Sequence, residues 1–378
     1  MPKSSARARL ANAALAVATL AICFVVGEAI IRMLPAAERL GFTDSSPVAA
    51  RAAAAGPKEP GRIRIVALGD SFTEWRDRSG GSFVRVAERA LNDVGKKVEV
   101  VNLAEAGTGI PEYFANLVRN ADALKPDMVV VGLYLGNDLR LSDPPLITPQ
   151  GRAAALAAVP PSVPGWRRLV KKSILIDTAF RFAKTQIGAL RSGSFDALVA
   201  ELAAREGRDP AYVAARLAGI EPALVDAARA DMINVWDLAT AVFFPDYYGE
   251  LAVAAPGTRQ GREVAGGIAD LDALIAECRA RNIKIAVVLL PPPPWAGERY
   301  RGYFRRLGYG ALGPADGPVP LIDLLKTHLV EAGIAALDPL PALRAERERS
   351  YLENDEHLNG HGQEVVGTAL ARFLLERF

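Results

Sequence analysis

The sequence predicts an α/β protein built on a doubly wound parallel sheet of about five strands. Three observations carry this. Short, continuously apolar runs at 62–70, 98–107 and 127–138 are each followed by a turn and a helical pattern. The alternation returns after residue 262. The composition, 50% hydrophobic and 23% charged over 378 residues, gives a core large enough to cover both faces of a sheet.

In chain order, Lys3, Arg7 and Arg9 come first, followed by the uncharged stretch 10–27 and then Glu28 and Arg32. Positive charge ahead of about 20 apolar residues predicts a membrane anchor over 10–34, residues 1–9 cytoplasmic and everything later exported. Glu28 and Arg32, four apart, can pair at the interface. A cleaved signal peptide, which would leave a secreted chain, is the alternative; Gly27, Ala29, Ala36 and Ala37 supply the small residues it needs. Residues 35–60, rich in Ala, Pro and small polar residues, read as a linker to a domain spanning 61–378.

Within that domain the runs RIRIVALGD, VEVVNLAEAG and DMVVVGLYLGND read as the first three strands, with helices over 82–94 and 111–124. A helix near 262–282 feeds KIAVVLLPPPP, where the prolines stop the fourth strand. A helix near 320–332 leads to a fifth strand at 333–339, and a helix from Gly360 closes the chain. Five strands with helical crossovers predict a flavodoxin-like order, with the ligand site beyond the carboxyl ends of the strands. The Ala-rich insertion over 140–261 is too long for a plain loop and reads as mostly helical. Within it, 165–184 carries Arg167, Arg168, Lys171 and Lys172 among apolar residues, as an amphipathic helix on the sheet or one lying on the membrane.

Several chemistries lose support at this level. With 45 Lys plus Arg against 43 Asp plus Glu, the formal charge of +2 gives no reason to expect nucleic acid as a partner. Cys23 and Cys278 make neither a disulfide framework nor a cysteine zinc site. No phosphate-binding glycine motif is present, so no nucleotide is expected. His357 and His361 sit in the string HLNGH, which lacks the glutamate of a metalloprotease helix, so a metal pair is not expected there and His361 reads as a supporting or cap residue. His328 lies in a predicted helix and reads as structural.

What remains is a set of polar residues at strand ends. The first strand ends Gly69-Asp70-Ser71, the second reaches Gly107, the third ends Gly136-Asn137-Asp138, and His357 precedes the last helix. Acyl transfer needs a nucleophilic hydroxyl, a base, a group that orients the base and fixed donors for an oxyanion. Ser71 fits the first role and His357 the second. The oxyanion donors would be the N–H groups of Ser71 and Gly107, the latter approached closely for want of a Cβ, and the Asn137 amide. Asp70, Thr73 and Asp138 read as turn or cap residues.

In that order these residues resemble the SGNH subgroup of the GDSL hydrolases, whose blocks contribute Ser, Gly, Asn and His; here they are Ser71, Gly107, Asn137 and His357. The resemblance covers about 62–138 and 284–378. It implies serine-dependent hydrolysis or transfer of acyl groups without metal or organic cofactor. The usual last block has Asp three residues before His, where this chain has Asn354; its acid lies two before, at Asp355. That Asp-x-His spacing resembles membrane-linked relatives acting on envelope polysaccharides and makes Asp355 the candidate orienting acid, with Asn354, Glu353 and Glu356 as alternatives. The expectation is an extracytoplasmic esterase with a Ser71–His357–Asp355 triad acting on O-acyl esters of envelope glycans or lipids. An O-acetyltransferase using the same residues and a non-catalytic glycan-binding module are the rival readings.

Overall fold

The computed structural model describes Thr19 and residues 48–74, 81–139, 145–147, 195–230, 232–346 and 349–377. The chain divides into two units, Met1–Ser46 with Pro160–Ser192 and Pro47–Val159 with Gly193–Phe378. Only Thr19 of the first is described, and everything below concerns the second. The expected anchor over 10–34, Thr19 apart, and the basic stretch 165–184 therefore lie outside the described residues. Among the described residues no helix is long and apolar enough to cross a membrane.

The sheet consists of β1 (Ile63–Gly69), β2 (Val98–Asn102), β3 (Met128–Tyr134), β4 (Lys284–Leu290) and β5 (Ala335–Leu337), all parallel in the order β2-β1-β3-β4-β5. This is the expected flavodoxin-like order. β3 is buried along its whole length and β1 and β4 nearly so, which is why their sequences run apolar without alternation. Two strands stop earlier than their apolar runs. Asn102 ends β2 because its Oδ1 accepts the Ala104 N–H at 3.0 Å, and Asp138 closes the turn after β3 by accepting the Tyr134 N–H at 2.7 Å.

The helices of the first half are α1 (Val48–Ala54), α2 (Ser71–Glu74), α3 (Phe83–Asp93) and α4 (Ile110–Leu124). The connection from β1 to β2 runs one way across the sheet and that from β2 to β3 the other, so right-handed crossovers put α3 and α4 on opposite faces. The order reverses between β1 and β3, and their carboxyl ends form the crevice where this topology receives ligands.

The linker expected over 35–60 is not irregular throughout. Its stretch VAARAAA, strong in helix propensity, forms α1. Arg51 of α1 is buried and donates to the Ala104 carbonyl at 2.5 Å, and Arg64 of β1 donates to the Gly56 and Ala55 carbonyls at 3.1 and 3.3 Å. Residues from 48 on, ahead of the expected start at 61, thus already form a helix and pack through these arginines.

The described part of the insertion is helical, as expected: α5 (Phe195–Arg205), α6 (Pro210–Ala218), α7 (Pro222–Arg229), α8 (Val235–Phe243) and α9 (Tyr247–Val253). There follow α10 (Arg259–Ala280), α11 (Pro293–Ala296), α12 (Glu298–Arg306), α13 (Pro320–Glu331), α14 (Leu340–Ala345) and α15 (Gly360–Leu375). α15 lies so close to α3 that a Cβ on Gly367 would come within 2.4 Å of the Val86 Cβ. Buried Gln363 of α15 accepts the Phe83 N–H at 2.7 Å, fixing the start of α3 to the segment that carries His357.

Candidate active site

Ser71 opens α2 immediately beyond β1. The turn that presents it depends on two glycines paired across the sheet, Gly69 on β1 and Gly132 on β3. Buried Thr73 occupies the space between them, and a Cβ at either position would fall 2.2 or 2.1 Å from its Oγ1. Asp70 completes the turn, its Oδ1 accepting the Phe72 N–H at 2.9 Å and its carbonyl accepting from Thr73 and Glu74 at 3.2 and 2.9 Å.

His357 sits in a loop closed by an antiparallel bridge between Tyr351 and Leu358. Asn359 anchors the loop to α15, capping it through the Gly362 N–H at 3.0 Å while its amide donates to the Arg349 and Tyr351 carbonyls. Asp355 folds back so that its Oδ1 accepts the His357 N–H at 2.8 Å and also meets the imidazole Nδ1. With the ring proton held on Nδ1, the Nε2 lone pair faces the serine, and the Ser71 hydroxyl donates to it at 2.7 Å.

The other acids of the segment are engaged elsewhere. Glu353 pairs with Arg299, and Glu356 accepts the Tyr134 hydroxyl at 2.6 Å. Asn354 meets Tyr303 through its backbone carbonyl, at 3.1 Å. Phe72 stacks between the Tyr134 ring (centroids 3.7 Å apart) and the His357 imidazole (4.7 Å). The residue after the serine thereby fixes the plane of the ring that faces it, a stacking contact worth about 0.5–1.5 kcal/mol.

Burial works to lower the pKa of His357, but the hydrogen bond and charge of Asp355, reinforced by Glu356 and Asp70, outweigh it and raise the pKa above the ordinary imidazole value. Asp70 is driven up to about 7, chiefly by burial; the Phe72 N–H, the charge of His357 and the Asn137 amide restrain the rise. Burial, then the charge of Asp70, raises Asp138 well above the carboxylate range, although it accepts from the Tyr113 hydroxyl at 2.8 Å and the Tyr134 N–H.

Gly107 and Asn137 line the same cavity, of about 1060 Å³, as Ser71 and His357. Glycine at 107 has a backbone reason of its own. A Cβ there would meet nothing within 4 Å; the position needs glycine because its φ is +75°. The loop carrying it is tied to the serine's helix by the Ala106 N–H, which donates to Glu74 Oε2 at 2.7 Å. The turn carrying Asn137 is tied to the insertion, where the Tyr247 hydroxyl donates to the Gly136 carbonyl at 2.8 Å.

The two remaining histidines lie apart from this group, His361 against Glu346 and His328 against Asp272, each at 2.8 Å. Among the described residues no three His, Cys, Asp or Glu side chains are grouped to hold a metal ion. Cys278 is buried, which pushes its thiol up to about 12. Sequence reasoning missed Phe72 and Tyr134, hidden in or beside apolar runs, and Asp237 of α8, buried in the cavity wall. A hydroxyl, an imidazole backed by a carboxylate, and candidate donors on two neighbouring loops thus meet at one cavity, a set able to take an acyl group onto the hydroxyl and release it to water.

No protein-family model matches the sequence, and no match was found among curated proteins. Solved structures are similar in part. A putative lipolytic protein of the G-D-S-L family from Desulfitobacterium hafniense shares 12% identity over 82% of this chain and 99% of its own, with a TM-score of 0.35. A putative acylhydrolase from Bacteroides fragilis shares 10% over 86% and 93%, with a TM-score of 0.38. A catalytic mutant of an acetylxylan esterase from Geobacillus stearothermophilus shares 12% over 82% and 94%, with a TM-score of 0.39. These likenesses are loose.

Proposed function

We propose that the chain is a serine ester hydrolase of the SGNH kind, with Ser71 as nucleophile, His357 as base and Asp355 as the acid that orients it. The observation that carries this reading is the unbroken line of contacts from the Asp355 carboxylate through the imidazole to the Ser71 hydroxyl at 2.7 Å. It joins residues 286 positions apart, which local turn chemistry does not explain.

In the reaction the Ser71 oxygen bonds to the ester carbonyl carbon as its proton passes to His357 Nε2, and the carbonyl π pair moves to oxygen. The N–H groups of Ser71 and Gly107 and the Asn137 amide stabilise that oxyanion. Collapse expels the alcohol, which takes the proton from Nε2 and leaves an acyl-serine. Water then attacks the acyl carbon as its proton passes to Nε2, and collapse releases the acid and expels the Ser71 oxygen, which takes that proton back from Nε2. Asp355 stabilises the imidazolium in both halves without taking its proton.

The uncharged stretch 10–27 behind Lys3, Arg7 and Arg9 supports placing this activity outside the cytoplasm on an N-terminal anchor. Ser71→Ala, purified and compared by circular dichroism, tests the catalytic reading. It abolishes hydrolysis of a short-chain aryl ester with the fold intact; unchanged turnover removes Ser71 from the mechanism.

A further inference from the structure

One wall of the cavity comes from the insertion, and it contains an acid that the proposed reaction does not use. Asp237, in the first turn of α8, is 4% exposed and lines the cavity, yet its Oδ2 makes no hydrogen bond among the described residues. Asp70 likewise has one oxygen, Oδ2, without a hydrogen bond among the described residues, but its Oδ1 accepts the Phe72 N–H, and two other buried acids are held at both oxygens. Asp138 accepts from Tyr113 and Tyr134, and Asp270 accepts the Leu146 and Ile147 N–H groups at 3.2 and 2.7 Å. Leaving a buried carboxyl oxygen unmatched is unfavourable, a cost a bound donor removes.

The surroundings say what kind of donor fits. The described cavity wall carries the carboxyls of Glu112, Asp138, Asp237, Asp355 and Glu356. Arg205 is the one Lys or Arg among its described lining residues, and it already pairs with Glu206 at 3.1 Å. An anionic ligand meets repulsion here. Burial first, then the charges of Glu356 and Asp355, raise the pKa of Asp237 well above the carboxylate range and favour the protonated form, which offers one O–H donor and one acceptor. A hydroxyl, itself donor and acceptor, matches that pair. Beside it Trp236, 57% exposed and also lining the cavity, offers an apolar ring face of the kind that covers a sugar ring.

We propose that Asp237 binds a hydroxyl of the substrate's alcohol portion and so selects esters of uncharged polyhydroxy compounds, such as acetylated neutral sugars, over esters that carry a carboxylate. This rests on the esterase reading above. Asp237 is a specificity-determining residue, distinct from the groups that move protons or hold the oxyanion.

The test compares kcat/KM on three acetyl esters: a 4-nitrophenyl ester with no hydroxyl, an acetylated xylobiose, and an acetylated galacturonate disaccharide. The wild type favours the neutral sugar over the uronate by about tenfold or more, because the acidic wall repels the carboxylate. Asp237→Leu lowers the ratio of sugar ester to aryl ester by a similar factor, and Asp237→Asn, which keeps a donor and an acceptor, restores part of it. Asn also stands in if the Leu variant does not fold, because losing the carboxyl geometry still shifts the ratio. Equal ratios in wild type and variants overturn the proposal, as does a wild type that prefers the uronate. A wild type inactive on the aryl ester as well overturns the esterase reading itself, which separates the two failures.

Discussion

Replacing Asp355 by Asn probes the proposed proton chain at its outer end. The amide oxygen can still accept from the His357 backbone N–H, now 2.8 Å from the carboxylate, and from ring Nδ1, so the loop keeps its shape. What disappears is negative charge beside a ring that must become positive in the transition state. Loss of the orienting acid in such a triad costs about 10³–10⁴ in kcat, or about 4–5.5 kcal/mol of barrier. The same change moves the pH profile in a direction the structure dictates. His357 acts as base only when neutral, and its pKa is raised because the Asp355 hydrogen bond and charge outweigh burial. Without Asp355 its two raising effects vanish and the lowering effect of burial stays, so the acidic limb of kcat/KM moves to lower pH. Initial rates on a 4-nitrophenyl ester from pH 5 to 9, with fold checked at each pH, measure both quantities. A variant that keeps kcat within about tenfold of wild type and an unmoved acidic limb refutes the assignment of Asp355.

Asn137→Ala removes one proposed oxyanion donor and is expected to lower kcat by about 10²–10³ with a smaller change in KM; steady-state kinetics on the aryl ester check it, and an unchanged kcat excludes the amide from the oxyanion site. Asp70→Asn is expected to change stability rather than remove the nucleophile. Because the folded carboxyl holds its proton up to about 7 against 3.8 for an ordinary one, unfolding releases a proton between those values, so this group's contribution to stability falls as pH rises through that window and is flat above it. The Asn variant keeps the acceptor for Phe72 and loses that slope, gaining on the order of 4 kcal/mol at pH 8 relative to pH 4. Urea unfolding at both pH values measures the difference, and parallel behaviour of wild type and variant contradicts the buried-acid account.

The strands were legible because burial on both faces leaves a continuous apolar run, as in VVVGLY of β3. Their ends were not, because Asn102 and Asp138 stop pairing with side-chain hydrogen bonds that an apolar run does not announce. Ser71, Gly107, Asn137 and His357 were legible because a parallel sheet sends successive strand ends to one edge, so their order along the chain foretold their meeting. The choice among Glu353, Asn354, Asp355 and Glu356 was not, since it depends on how a six-residue bridge-closed loop turns over between Tyr351 and Leu358. Phe72 and Tyr134 looked like core residues and are core residues; that their stack ends on an imidazole is a tertiary fact. Asp237 lay in an insertion whose Ala-rich helices carry no motif, and only its burial beside the cavity singles it out.

An activated nucleophile at the hydroxyl held by His357 is what the whole mechanism requires. Treating the purified protein with a fluorophosphonate and mapping the adduct by peptide mass spectrometry asks this directly. The prediction is one adduct, on the peptide carrying Ser71, absent in Ser71→Ala and formed much more slowly in His357→Ala at neutral pH. No adduct under conditions that label an active serine esterase, or an adduct on a different serine, contradicts it.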